Sequence, residues 1–505
     1  DLLLVNSRPW PWTAAGDAGR TAPGVALYRN DSAGGNLRLT DITAGSGMEA
    51  PFYGMSVAVG DYDNDGRPDV LLGGVGGSRL FHNEGGGRFR DVTAAAGVAG
   101  EASDWASAAA WLDLDNDGDL DLFAARYVRW SREIDAEVGY KIDGTTRAYG
   151  PPMNFQGTFP RLYRNDGGGR FTDISAASGV QVKNPATGVP AAKSLGVSPA
   201  DLNRDGWVDL VVANDTVQNF VFLNQRNGTF REAGAESGLA FDSYGNTRGA
   251  MGIDAARFTP DGRLAFAIGN FANEMTALYV EQPGGTPELP LYADEALSWG
   301  VGGPSRDPLK FGVVFLDYDL DGRLDLLSVN GHLEAEISKV QHGQRYEQAA
   351  QLFWNGGDAG FVAVTTNEAG ADLFRPIVGR GSAYADLDGD GDLDVVFTAA
   401  GGRPLLLRND QALGHHHVRI RLEGVRSPRD GQGAWVRLHA GGRSQWRQVT
   451  TARSYLSASE AVVTFGLGAS AQVDTVEITW PGGRTQRVDG VKVDALTVVR
   501  EEAVP

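Results

Sequence analysis

The 505-residue sequence contains no cysteine. This absence excludes a disulfide framework, a thiolate zinc site and a cysteine nucleophile. It leaves the cellular compartment open, because secreted bacterial proteins also fold without disulfides.

Basic residues are also scarce: 45 lysines and arginines stand against 64 aspartates and glutamates, and the formal net charge is −19. This balance argues against a nucleic acid or an anionic membrane as a partner, since both require a basic surface. No apolar run in the sequence approaches the ~18–20 residues that a membrane span needs. Hydrophobic residues make up 42% of the chain, which excludes a wholly disordered protein.

What the chain has in abundance is aspartate and glycine, and both belong to a repeated motif. The motif reads Asp-x-Asp/Asn-x-Asp-Gly-x-x-Asp and is followed by a short apolar run. Five intact copies begin at Asp61, Asp113, Asp201, Asp317 and Asp386. A sixth copy, from Arg257, keeps Asp261 and Gly262 but lacks the flanking carboxylates. The residues from Asp1 match the end of the motif, so we expect the chain as given to begin inside a repeat.

A second pattern alternates with the first: an apolar-aromatic strand that usually ends in asparagine. Its copies are LYRN from Leu27, LFHN from Leu80, LYRN from Leu162, VFLN from Val221, LYVE from Leu278, LFWN from Leu352 and LLRN from Leu406. A glycine-rich turn and another short strand follow most copies, which is typical of a β-hairpin. Each repeat therefore supplies four short strands, and seven repeats predict a seven-bladed β-propeller over residues 1–410.

From Gln411 onward the aspartate repeat stops and strands with a period of two take over, as in HVRIRLEG and DTVEITW. We expect residues 411–505 to form a small β-sandwich domain. The predicted fold class is thus all-β, with two domains.

The spacing of the aspartates places several carboxylates on one side of a tight loop. Hard oxygen ligands at this density suit Ca²⁺, and the glycine at position 6 permits the sharp turn. An EF-hand fits poorly, because the loop has nine residues and no glutamate at position 12. The predicted ligands are Asp61, Asp63, Asp65, Asp69, Asp113, Asp115, Asp117, Asp121, Asp201, Asn203, Asp205, Asp209, Asp317, Asp319, Asp321, Asp325, Asp386, Asp388, Asp390 and Asp394.

We interpret these sites as about five structural Ca²⁺ ions; the competing interpretation is a set of solvated acidic turns. Five Ca²⁺ ions add ten positive charges and would change the net charge from −19 to −9. Without metal, the carboxylates of each loop repel one another, so chelation should destabilise the fold.

These motifs resemble FG-GAP/VCBS-type propellers, to which the calcium-loop propeller of integrin α-subunits is related. The chain is also similar to bacterial proteins of the cartilage-acidic-protein-like family, which end in an ASPIC/UnbV domain. The segments that carry this likeness are HHHVRIRLEG from His415, GQGAWVRL from Gly431, SYLSASEAVVTFGLG from Ser454 and VEITWPGG from Val476. The resemblance implies little about chemistry, although UnbV-type members of enediyne biosynthetic clusters keep an enzymatic role open.

If each aspartate loop joins the first two strands of a blade, the longest connections lie on the opposite face. We expect these insertions at Asn6–Gly24, Ala125–Pro160, Asn184–Gly196, Ser243–Gly249, Gly284–Leu309 and Gly331–Ala350. Long loops on one face of a rigid scaffold are a common place for a binding site. The candidate ligand-binding residues are Trp10, Trp12, Arg126, Tyr127, Trp130, Tyr149, Asn214, Asp215, Asn270, Asn330 and His332. The alternative is that the asparagines cap turns and the aromatic rings pack the loops together.

Catalytic candidates are weaker. His332 with Glu334, Glu336 and His342 is compatible with an acid–base set or a second metal site, and Arg126 is the remaining candidate. No phosphate-binding loop, dinucleotide fingerprint or serine-hydrolase motif stands out.

Two functions from different classes follow. The first is a calcium-stabilised propeller outside the cytoplasm, extracytoplasmic or secreted, that binds a protein or small-molecule ligand on the insertion face. The second is an enzyme of specialised metabolism with its active site on that face, in which case a cytoplasmic location is expected. A deep pocket containing arginine, histidine and carboxylates with perturbed pKa values would favour the enzyme.

Overall fold

The computed structural model of the chain describes residues 1–7, 24–49 and 52–503. Trp10 and Trp12 lie outside the described residues. In the described part, seven β-sheets follow one another along the chain up to Leu407. These sheets are the seven blades of the propeller, which confirms the predicted fold class.

Five blades have four strands each, joined in sequence as antiparallel hairpins. Blade 2 comprises β4 (Tyr53–Gly60), β5 (Asp69–Val75), β6 (Gly77–Gly85) and β7 (Arg88–Asp91). Blade 3 comprises β8 (Ala106–Leu112), β9 (Asp121–Arg126), β10 (Arg161–Asn165) and β11 (Phe171–Asp173). Blade 4 comprises β12 (Ser194–Ala200), β13 (Asp209–Asn214), β14 (Phe220–Asn224) and β15 (Phe230–Glu232). Blade 5 comprises β16 (Ile253–Ala256), β17 (Ala265–Ile268), β18 (Ala277–Thr286) and β19 (Leu289–Asp294). Blade 6 comprises β20 (Lys310–Leu316), β21 (Asp325–Asn330), β22 (Gln351–Asn355) and β23 (Phe361–Ala363).

The first and last blades have three described strands each. Blade 1 comprises β1 (Leu2–Val5), β2 (Val25–Asn30) and β3 (Leu39–Asp41), and blade 7 comprises β24 (Gly379–Ala385), β25 (Asp394–Ala399) and β26 (Leu405–Leu407). Asp1 takes the place of the last motif aspartate, because its Oδ1 accepts the Asn30 N–H at 2.9 Å. The same bond recurs in other blades, for example from the Asn165 N–H to Asp121 Oδ1 at 2.7 Å.

Helical segments are short and lie in the connections. They are α1 (Thr93–Ala96), α2 (Arg132–Val138), α3 (Gly234–Ser237), α4 (Thr366–Ala369) and 3₁₀ turns at Pro152–Asn154, Ile337–Lys339, Gly357–Ala359 and Pro481–Gly483. The α2 helix begins at Ser131, whose Oγ accepts the Ile134 N–H at 3.2 Å. It ends at Gly139, which adopts a left-handed conformation.

Strand burial follows from position in the propeller. The second strand of blade 4, DLVVAN, is buried at every residue because neighbouring blades cover both of its faces. Strand β4 alternates between buried and half-buried residues, since one of its faces is less completely covered. Successive first strands, from β4 to β24, contact one another around the centre of the ring.

Each aspartate loop joins the first two strands of its blade, as the sequence predicts. The long connections lie at the opposite end of the blades, because they join the second strand to the third or the fourth strand to the next blade. The predicted extent of the insertion at Gly284–Leu309 was wrong. Strand β18 continues to Thr286 and β19 occupies Leu289–Asp294, so only residues 295–309 form that connection.

A repeated hydrogen bond links neighbouring blades. The asparagine that ends the third strand donates its side-chain N–H to a loop carbonyl of the preceding blade, from Asn165 to Tyr62 and from Asn224 to Leu114, both at 2.8 Å. The same bond joins Asn355 to Phe258 and Asn409 to Tyr318. The Asn30 amide reaches the Leu387 carbonyl at 2.8 Å and thereby links blade 1 to blade 7. This bond closes the ring.

The C-terminal region, residues 411–503, forms the predicted β-sandwich. One sheet contains β27 (His416–Glu423), β32 (Val463–Gly468) and β35 (Leu496–Arg500), and the other contains β28 (Trp435–Ala440), β29 (Arg443–Gln448), β33 (Thr475–Thr479) and β34 (Thr485–Val488). Ile420, Val436 and Phe465 are fully buried between the sheets. The histidine run at His415–His417 therefore lies at the start of a strand.

A short hairpin leaves the sandwich and enters the centre of the propeller. It consists of β30 (Ala452–Arg453) and β31 (Ser457–Ala458), and we call residues 451–459 the plug. Ser454 exchanges backbone hydrogen bonds with Ile253 of blade 5, and the Leu456 carbonyl accepts the Val57 N–H of blade 2 at 3.3 Å. Because it contacts the innermost strands of several blades, the plug fills the central channel.

Candidate metal loops and the insertion face

The loop from Asp113 illustrates how the motif folds. Asp113 accepts the backbone N–H groups of Asp117 and Gly118, both at 3.1 Å, which draws the loop around its carboxylate. Gly118 has a φ of 93°, a conformation that strongly favours glycine. Asp113, Asp115 and Asp121 each offer an oxygen within 4.8 Å of the others, so they could hold a metal ion.

Four of the five intact loops bring together such a group of acidic residues. The groups are Asp61 with Asp63 and Asp65, Asp113 with Asp115 and Asp121, Asp317 with Asp319 and Asp325, and Asp386 with Asp388 and Asp394. Many of these carboxylates are buried; the exposed fraction of Asp325 is 0%. Burial, with additional repulsion from neighbouring carboxylates, raises the pKa of Asp113 and of Asp317 to about 7. A bound cation would stabilise their ionised forms.

The loop from Asp201 differs in its ligand set. Its second ligand position is Asn203, whose amide oxygen accepts the Asp205 N–H at 3.2 Å. Asp205 is also paired with the Arg226 guanidinium at 2.8 Å. The neutral amide reduces the negative charge available to a cation, so we expect this loop to bind metal least tightly. The arginine pair on Asp205 does not set the loop apart, because Asp65 and Asp321 are paired with Arg67 and Arg323 in the same way.

In blade 5 the motif has lost its acidic set, and an arginine stands at the first position. Arg257 donates to the Gly262 carbonyl at 2.8 Å, and its guanidinium lies 4.8 Å from the centre of the Trp435 ring. Glu281, which replaces the usual asparagine, accepts from Arg204 of blade 4 at 2.8 Å. Ionic contacts within the chain thus hold together the loop that lacks the carboxylates.

The C-terminal region covers the ends of the aspartate loops. The Asp61 N–H donates to Asp430, the Arg419 guanidinium lies 2.7 Å from Asp386, and the Gly466 N–H donates to Asp317 at 3.1 Å. Two cavities of about 40 and 30 Å³ lie between the propeller and this region. Volumes of this size accommodate a few water molecules and not a substrate.

On the opposite face, two predicted ligand residues form polar contacts between blades. The Tyr127 hydroxyl donates to Asp215 at 2.5 Å, and burial raises the pKa of Asp215 to about 6. Arg126 is also buried, and its guanidinium lies 2.5 Å from Asp104. The Trp130 ring packs edge-on against Trp105, with 5.9 Å between the ring centres.

The three predicted asparagines are buried and donate to backbone carbonyls of the connections that follow them. Asn214 donates to the Gln218 carbonyl at 2.9 Å, Asn270 to Met275 at 2.7 Å and Asn330 to Ala349 at 2.8 Å. Their side-chain amides thus act as caps, which is the alternative that the sequence left open. A ligand role for these residues stays a prediction.

His332 is buried, and its Nδ1 accepts the Glu334 N–H at 3.0 Å. Burial lowers its pKa to about 4, with a further contribution from the nearby Arg380 cation. The structure does not bring together the proposed acid–base set, since Glu336 pairs with Lys339 and His342 contacts the Ser338 carbonyl. Glu334 instead accepts the N–H of Tyr149 at 2.7 Å, which ties the blade 3 insertion to that of blade 6.

Sequence reasoning missed two features. Arg453 of the plug forms a buried ion pair with Asp254 of blade 5; the signal was a lone aspartate in an otherwise apolar first strand. His82 approaches the aspartate loop of its own blade; the signal was the histidine in LFHN, where other copies have arginine, leucine, valine or tryptophan.

The fold and its loops define the class: a seven-bladed β-propeller with aspartate-rich loops that could hold metal. The FG-GAP-like repeat family matches residues 14–72, 65–124, 153–212, 201–268 and 317–397, and the ASPIC and UnbV family matches residues 424–505. The chain therefore belongs to the FG-GAP-like repeat family and carries a C-terminal ASPIC and UnbV domain.

Among curated proteins, the chain is similar to cartilage acidic protein 1 of Mus musculus and of Homo sapiens. Each is 27% identical over 320 residues, which is 62% of this chain and 44% or 43% of the relative. The chain thus spans less than half the length of these relatives.

Solved structures with some likeness include a lectin of Agrocybe aegerita that recognises non-reducing terminal N-acetylglucosamine. It has a TM-score of 0.43 and 16% identity, and the match covers 77% of this chain and 89% of the lectin. The Dos1 propeller has a TM-score of 0.34 and 9% identity, covering 86% of this chain and 83% of that one.

None of the helices in the described part of the chain has the length and hydrophobicity that a membrane span requires.

Proposed function

We propose that this protein is an extracytoplasmic binding module that recognises a protein partner through the insertion face of its propeller, while Ca²⁺ in the aspartate loops stabilises the opposite face. Small-molecule ligands at the same face are the alternative occupant. The division into a propeller domain, residues 1–410, and a sandwich domain, residues 411–505, belongs to this proposal.

One observation carries the choice of face. The C-terminal region occupies the loop face, whereas several large apolar side chains are exposed in the connections of the insertion face. These side chains are Tyr149, Met153, Val189, Tyr244, Leu297 and Val340. Tyrosine, present here as Tyr149 and Tyr244, is among the side chains that most often anchor a protein–protein interface.

The same geometry gives no support to the enzyme alternative. His332 has a pKa of about 4, far below the value that an efficient general base needs near neutral pH. Arg126 is engaged by Asp104. An enzyme of specialised metabolism stays a prediction.

Binding experiments test the interaction surface. A variant with Tyr149, Met153, Tyr244 and Leu297 changed to serine should lose partners that the wild type retains from extracellular fractions. The matched control changes Val425, Leu496 and Val498, which are exposed in the C-terminal region, to serine. The control should retain the same partners. If the face variant binds the same proteins as the wild type, the proposed surface is wrong.

Calcium is tested separately, by metal analysis and thermal unfolding with and without EGTA. Chelation should lower the melting temperature, because buried carboxylates then lose their counter-ion. Asp115→Ala in blade 3 should remove one equivalent of calcium, whereas Asp261→Ala in the degenerate blade 5 loop should leave the calcium content unchanged. An unchanged melting temperature after chelation would contradict the calcium role.

A further inference from the structure

The aspartate loop of blade 2 differs from the other intact loops because an imidazole faces its carboxylates. His82 lies on β6, and its Nδ1 is 3.2 Å from Asp63 Oδ2 and 3.3 Å from Asp69 Oδ1. This nitrogen is buried and has no hydrogen-bond partner in the described structure. Asp63, Asp69 and His82 each offer one ligand atom, all within 4.8 Å of one another.

The corresponding residues in the other blades offer no comparable ligand. They are Arg29, Arg164, Leu223, Val280, Trp354 and Arg408. Guanidinium and indole groups only donate hydrogen bonds, and the aliphatic side chains have no polar atom. An imidazole nitrogen, in contrast, is a common ligand of transition metals. Blade 2 is therefore the only blade with a nitrogen ligand at this position.

A second, independent difference concerns Asp69. In the other intact loops, the second oxygen of the ninth-position aspartate accepts a backbone N–H, as in Leu114 to Asp121 at 2.8 Å and Leu387 to Asp394 at 2.9 Å. The Oδ2 of Asp69 is buried and unpartnered, and the exposed fraction of the residue is 0%. Because an unpaired buried carboxylate oxygen is costly, this arrangement calls for a cation.

We propose that the blade 2 loop holds a divalent transition-metal ion, such as Zn²⁺ or Co²⁺, coordinated by Asp63, Asp69 and His82. Ca²⁺ takes oxygen ligands, whereas these ions bind mixed nitrogen and oxygen sets. Metal–ligand bonds of about 2.0–2.1 Å put the ligand atoms of a tetrahedral site roughly 3.3 Å apart. The two separations from His82 Nδ1, to Asp63 Oδ2 and to Asp69 Oδ1, match that spacing. Asp69 Oδ1 also accepts the Asn83 N–H at 2.7 Å, and Asp69 Oδ2 is the unpartnered oxygen. This site does not depend on whether the other loops bind calcium.

Metal retention by the full-length protein tests the site. The protein is stripped with EDTA, supplied with millimolar Ca²⁺ and dialysed against Co²⁺ or Zn²⁺, and bound metal is then measured. The wild type should retain one equivalent, and the Co²⁺ form should show visible absorption typical of nitrogen–oxygen coordination. His82→Leu, which introduces the side chain found in blade 4, should lose this equivalent.

The matched control is His416→Leu, which alters the histidine run of β27 and should retain the metal. His82→Gln, a second variant that preserves polarity, should bind at least roughly tenfold more weakly. Circular dichroism verifies that the variants are folded. The proposal would be overturned if the wild type failed to retain metal, or if both His82 variants retained as much metal as the wild type. In those cases His82 forms only ion pairs with Asp63 and Asp69.

Discussion

Arg453 of the plug lies 2.6 Å from Asp254 of blade 5, with both side chains buried at the centre of the propeller. Asp254 also accepts the Phe315 N–H of blade 6 at 2.8 Å. One carboxylate thus links two blades to the C-terminal region. Because Asp254 belongs to the blade without an acidic loop, the ion pair joins the sandwich to the part of the ring that lacks a candidate metal.

Removing the arginine should leave an unpaired buried carboxylate. We expect Arg453→Met to lower the free energy of unfolding by about 3–5 kcal/mol, and Asp254→Asn in the same chain to restore part of the loss. Urea unfolding with calcium present measures both effects. Arg421→Met, which removes an exposed arginine, should cost less than about 1 kcal/mol. Equal effects of Arg453→Met and Arg421→Met would contradict a stabilising role for the buried pair.

The plug packs closely against a glycine of blade 7. A Cβ on Gly381 would lie 2.3 Å from Ser457 Oγ and 2.9 Å from the Tyr455 carbonyl. Gly381→Ala should therefore displace the plug and expose the peptide bond after Arg453 to trypsin. Limited proteolysis with mass spectrometry measures the cleavage. Gly343→Ala, at a site with open space around the new Cβ, should leave Arg453 protected; cleavage in neither variant would contradict this account.

The inter-blade asparagines should stabilise the ring. Asn165→Ala removes hydrogen bonds to the Tyr62 carbonyl of blade 2 and the Leu120 carbonyl of its own blade, and should cost about 1–3 kcal/mol. Asn83 is the matched control, because its amide reaches only the Pro68 carbonyl of its own blade in a more exposed setting. Chemical denaturation of Asn83→Ala should show a smaller loss. The opposite ranking would argue against the inter-blade bond.

Asp215 should make stability depend on pH. Its pKa is raised to about 6 by burial, against the lowering effects of the Tyr127 hydroxyl and Lys193; Glu274 adds to the increase. The pKa of Asp215 is higher in the folded state than in the unfolded state, where it is near 3.8. Its contribution to stability is therefore complete below pH 3.8 and is lost as the pH rises through 6.

The melting temperature of the wild type, measured with excess calcium, should therefore fall more between pH 5 and 7 than that of Asp215→Asn. The difference corresponds to roughly 1 kcal/mol, because part of the loss already occurs below pH 5. Parallel pH profiles for the two proteins would show that Asp215 does not titrate in this range.

Much of the fold of this protein can be predicted from local sequence. The repeat predicted seven blades, because each copy specifies its own strands and turns, and the aspartate spacing located loops that could hold metal. The loss of acidic residues from Arg257 onward also identified the exceptional blade. These features depend on residues within a few positions of one another.

The sequence did not reveal that the C-terminal region covers the aspartate loops or that its plug fills the channel. These contacts join residues far apart in the chain, such as Arg453 with Asp254, and no local pattern encodes which surfaces meet. The blade 2 site could be predicted only in part. The repeat showed that His82 is exceptional, but its distance to Asp63 and Asp69 depends on how the strands of the blade pair. The sequence alone thus determined the blades and their loops. Only the tertiary structure decided which face of the propeller is covered and which remains open, because burial and charge pairing between distant segments arise on folding.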